Sequence, residues 1–75
     1  MDDHDLRLRA LAIEYVNYCN LMATPDLSPE DRHYLSSQRT IVHDELIAMT
    51  GLARPFDMKS YCADLVAGRA RAIFA

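Results

Sequence analysis

The stretch that decides the fold is SPEDRHYLSSQRTIVHDELIAMTG, residues 28–51, because it is punctuated as a helix at both ends. Ser28 suits an N-cap, and Pro29 suits the first helical position, where its missing N–H costs nothing. Glu30 and Asp31 put negative charge at the positive end of the helix dipole. No glycine or proline follows until Gly51, which fits the left-handed residue that ends a helix. The spacing predicts a helix over 29–50, with Leu52 folding back onto Ile47 in a Schellman-type ending.

Outward from this stretch, Thr24-Pro25-Asp26-Leu27 reads as a loop, preceded by a helix over 3–22. At about 100° per residue, Leu8, Leu11, Ala12, Tyr15, Val16, Cys19 and Met22 form one apolar stripe. Leu6, Ala10, Ile13 and Leu21 fall on the other side. A helix apolar on two sides is either central to its domain or shared with a second chain. In the other direction Arg54-Pro55 makes a second loop. Asp57 caps a third helix over 58–74, with Phe56 and Tyr61 as a hydrophobic staple. Its inner face reads Met58, Tyr61, Cys62, Leu65, Val66, Ala72 and Ile73. The expected fold is all-α: one domain over 1–75, a small three-helix bundle of two long antiparallel helices with the third packed across them.

Composition narrows the function classes. Seventy-five residues, 51% of them apolar, allow one small core whose stability is marginal. Dimerisation into four-helix geometry is the expected remedy. The net charge of −3 argues against a non-specific nucleic-acid binder. The charge is uneven: seven acids against Arg7 and Arg9 give −5 over residues 1–31, and residues 32–75 carry +2. Cys19 and Cys62 sit among apolar neighbours and read as reduced, buried thiols. The acidic start and the lack of an apolar run of about 18–20 residues point away from the membrane and to the cytoplasm.

The helix over 29–50 carries two adjacent apolar rows, Tyr34, Ile41, Ala48 and Leu35, Val42, Leu46, Met49, with Gln38 and Glu45 between them. A buried carboxylate needs a partner. Arg69, inside an otherwise apolar face of the third helix, is the expected one, so that Glu45 and Arg69 set the register within the domain or across a dimer. Arg32, Ser36, Arg39 and His43 recur at i, i+4, i+7 and i+11 on one face, suited to phosphate or an acidic partner surface.

No motif commits the chain to catalysis, a cofactor or a metal. His43-Asp44-Glu45 cannot converge, because consecutive helical residues point about 100° apart. There is no HExxH, paired-cysteine spacing, EF-hand loop or phosphate-cradling glycine loop. The function this pattern favours is a non-catalytic protein-binding module, an adaptor, regulator or inhibitor that acts by occupying a partner's surface. Leu6 and Ile13 offer apolar contact area, and Arg32, Arg39 and His43 a polar edge. Asp2, Asp3 and Asp5 suit a basic surface on the partner. The alternatives are a dimeric DNA-binding regulator using the basic row and a self-assembling structural subunit.

Overall fold

Three helices form in the order α1 (Asp3–Met22), α2 (Pro29–Thr50) and α3 (Met58–Val66). The computed structural model describes residues 2–52 and 57–75, and no strand occurs among them. Among the described residues no helix is long and apolar enough to cross a membrane. The result is the small three-helix bundle that the punctuation predicts.

The start signals act as expected. The Asp2 carboxylate accepts from the Asp5 amide at 2.8 Å, and the Ser28 hydroxyl from the Asp31 amide at 3.1 Å. The Asp57 carboxylate accepts from both the amide and the hydroxyl of Ser60, at 3.2 and 2.8 Å. These bonds, the hydroxyl's first, hold the Asp57 carboxyl below its usual range. The expected staple involves Phe56, which lies outside the described residues, as does the Arg54-Pro55 loop.

The stop signals are distributed differently. Gly51 does adopt a left-handed conformation, φ 72°, and its amide donates to the Ile47 carbonyl at 2.8 Å. The Leu52 amide does not return to Ile47, however. It donates to the Thr50 hydroxyl at 3.1 Å, which itself donates to the Leu46 carbonyl at 2.7 Å. This is the simpler left-handed ending, not a Schellman motif. The Schellman motif closes α3 instead. Gly68 has φ 78°, its amide donates to Leu65 O at 3.2 Å, and the Arg69 amide reaches back to Asp64 O at 2.7 Å.

The third helix therefore stops at Val66, not at 74. An interior glycine is already a poor helix residue, and here its freedom at positive φ lets the chain turn. Residues 71–75 then run back without regular structure. The Tyr61 hydroxyl accepts from the Ile73 amide at 3.0 Å and donates to the Arg71 carbonyl at 2.8 Å. The Ala75 amide donates to Met49 O at 2.8 Å, and Phe74 meets His4 edge to face, ring centroids 6.1 Å apart.

The core follows the expected stripe of α1, which packs against both other helices. Leu8, Leu11, Ala12, Tyr15 and Cys19 are buried against Val42 and Leu46 of α2 and Met58, Tyr61, Cys62 and Leu65 of α3. Each fully buried leucine contributes about 1.5–3 kcal/mol relative to leaving it in water. Both cysteines are free and buried. Burial pushes the Cys62 thiol up to about 12.

Only one of the two apolar rows of α2 enters this core. Val42 and Leu46 are buried and Leu35 and Met49 half-buried, whereas Tyr34, Ile41 and Ala48 are exposed. Gln38 and Glu45 mark the boundary between inside and outside and are not enclosed.

Candidate functional site

Two contacts between the helices fix the antiparallel register of α1 and α2. Arg7 donates to Glu45 at 2.7 Å, and Arg32 donates to the Met22 carbonyl at 3.4 Å near the other end. At 1.5 Å per residue this register brings Ile13 level with Ile41, and Leu21 level with Tyr34. With α2 on one side and α3 on the next, the third side of α1 is uncovered. It displays Leu6 (53% exposed), Ile13 (48%) and Leu21 (50%). Across the Arg7–Glu45 seam, the outer side of α2 displays Tyr34 (60%) and Ile41 (53%). Asp3 and Glu14 add exposed acid to this face, and Arg7 is neutralised by Glu45.

On the other seam of the same helix pair lies a cleft of about 400 Å³ lined by Tyr15, Arg39, Thr40, His43 and Asp44. The His43 ring tilts against that of Tyr15, centroids 5.7 Å apart at 37°. His43 Nδ1 stands 3.9 Å from the Asp44 carboxylate, beyond hydrogen-bond distance. Burial raises the Tyr15 phenol above its ordinary value, so it is a neutral hydroxyl at physiological pH.

The residues singled out from sequence thus divide. Asp3, Leu6 and Ile13 lie on the uncovered face. Asp2 is the cap of α1, and Asp5 holds Arg9 at 2.6 Å. Arg32 closes the end of α1, while Arg39 and His43 line the cleft. The Glu45–Arg69 pair does not form within the chain: Glu45 is held by Arg7, and Arg69 by Asp64 at 3.0 Å. Arg69 lies beyond the end of α3, because Gly68 has already turned the chain. Sequence reasoning did not put Leu21, Tyr34 or Ile41 on the contact face. The seven-residue spacing of Tyr34 and Ile41, and the place of Leu21 eight residues after Ile13, were the available signals. Nor did it assign Tyr15, Thr40 or Asp44 to a cleft, which only the helix register creates.

Among the described residues no three of His, Cys, Asp or Glu come together as a metal site. A second cavity, about 380 Å³, lies between Asp2, His4, Met49, Phe74 and Ala75. Compared with family models, with curated proteins and with solved structures, the chain matches none.

Proposed function

We propose that this chain is a non-catalytic protein-binding module that acts by occupying a partner's surface, using the uncovered face of α1 and α2. The observation that carries the reading is the exposure of five large apolar side chains on the two long helices, Leu6, Ile13 and Leu21 of α1 and Tyr34 and Ile41 of α2. A single exposed apolar residue needs no explanation, but five on two helices of a small chain do. Asp3, Glu14 and Glu45 outnumber Arg7 on this face, so the fitting partner presents an apolar patch edged with basic residues. A second copy is the other occupant to test, with Arg7 of one chain opposite Glu14 of the other in an antiparallel pair of α1 helices.

The basic row favours protein over nucleic acid. Arg32 is spent on a carbonyl at the end of α1, and His43 shares its cleft with Asp44. The test is affinity capture from the source lysate, with and without nuclease, using the native chain and the Ile13→Glu/Ile41→Glu variant. A stoichiometric protein that survives nuclease and is lost with the variant supports the reading. Capture that depends on nucleic acid, or that the variant leaves intact, overturns it. Sedimentation of the purified chain tells a second copy from a different partner.

A further inference from the structure

Two of the described arginines are half-buried, Arg9 and Arg39, and their surroundings differ. The Arg9 guanidinium is satisfied by the Asp5 carboxylate at 2.6 Å and lies 3.5 Å from the Leu65 carbonyl. Arg39 has no hydrogen bond or ion pair within the described chain. Its nitrogens still reach solvent, so its donors stand open to a ligand in the cleft. The exposed arginines at 7, 32 and 69 all have acceptors, although they need them less.

The walls around Arg39 are mixed. The Tyr15 phenol is a neutral hydroxyl held in place by the core and hydrogen-bonded with Cys19, and Arg39 is near enough to favour negative charge on it. With the Nδ1 atom of His43 turned toward Asp44, Nε2 is left as the ring atom for other company. The Thr40 hydroxyl is engaged with the Ser36 carbonyl at 3.0 Å, so it shapes the wall and does not donate into the cleft. The one acid, Asp44, has a side chain 73% exposed and stands at the rim.

We propose that this cleft is a carboxylate-binding site, in which Arg39 takes the anion, His43 completes its hydrogen bonds and the Tyr15 ring forms the wall. The planar guanidinium fork matches a carboxylate's two oxygens. Asp44 restricts the ligand's charge. Set against the single arginine, it repels a polyanion such as a nucleic-acid backbone. The site lies on the opposite seam from the proposed contact face and does not rest on that reading. The carboxylate has two sources, an acidic side chain of a protein or a free small acid.

The experiment is an NMR titration of the full chain, following the Arg39 Nε–H and the His43 ring. The probes are acetate, inorganic phosphate and a capped peptide carrying a single glutamate. Saturable shifts confined to Arg39, His43 and Tyr15 are expected, with acetate binding in the millimolar range. Arg39→Gln, checked for native fold by circular dichroism, should weaken binding at least about tenfold. Tighter binding of the glutamate peptide than of acetate identifies a protein side chain as the source; equal binding identifies a free acid. Shifts that do not saturate, that appear equally at Arg32 and Arg71, or that survive Arg39→Gln overturn the proposal. So does phosphate binding in preference to acetate.

Discussion

Glu45 is held at 2.7 Å by Arg7, thirty-eight residues away across the seam of the two long helices, while Arg69 turns to Asp64. Both partners of the Arg7–Glu45 pair are well exposed, 64% and 42% for the side chains. Exposed ion pairs contribute about 0–1 kcal/mol, because water already solvates both charges. Glu45→Gln should therefore lower stability by less than about 1 kcal/mol in urea denaturation. A cost of several kcal/mol would mean that the carboxylate is enclosed.

The two apolar rows of α2 should respond unequally to truncation. Leu46 is fully buried, so Leu46→Ala should cost about 2–5 kcal/mol in transfer energy and cavity. Ile41 is 53% exposed, and Ile41→Ala should change stability by no more than about 0.5–1 kcal/mol. Equal losses would place Ile41 in the core and remove it from the contact face.

The two left-handed glycines offer a paired test. Each has positive φ, where a Cβ is strained, so replacing either by alanine should cost about 1 kcal/mol. At Gly68 the added Cβ meets open space, whereas at Gly51 it comes within 3.2 Å of the Ala75 Cβ. Gly51→Ala should therefore cost more than Gly68→Ala, unless the chain end shifts aside. Denaturation of the two variants side by side checks the order.

Cys62 links stability to pH. Its thiol, ordinarily near 9.0, is pushed up to about 12 by burial and then by the neighbouring Cys19. The folded-state pKa is the higher one, so this contribution is fully present below about pH 9. It is lost progressively as pH rises from 9 toward 12, because the unfolded chain gives up its proton first. Burial raises Tyr15 and Tyr61 as well, and they act in the same sense. Native Cys62 should also resist alkylation at pH 8 and react readily in urea, as a thiol-counting assay will show. Ready reaction of the native chain would contradict its burial.

What the sequence disclosed and what it withheld follow from the range of the forces involved. Caps are local, so Ser28 and Asp57 could be placed from their immediate neighbours. The stripe of α1 was legible because its residues face two helices and leave a strong period. Gly68 was harder. Apolar Ala72 and Ile73 continue the helical spacing past it, yet Ala72 reaches the core from the tail that Tyr61 holds, not through a further turn of helix, and Ile73 is exposed. The row Tyr34, Ile41, Ala48 is as regular as the buried row beside it, and hydropathy alone does not say which is inside. Register decides that, and it depends on contacts such as Arg7–Glu45 whose partners are far apart in the chain. Of the site, Leu6, Ile13, Arg39 and His43 were visible as residues. Their division between a face and a cleft was not.

The most direct measurement of the central claim is photocrosslinking in the source cells, with a photoreactive residue placed at position 13, 41 or 59. Lys59 is an exposed position on α3, away from the proposed face. The account predicts adducts to one and the same protein from positions 13 and 41, and none from 59. Adducts from 59 alone, or none from 13 and 41 in a chain that remains folded, would contradict it.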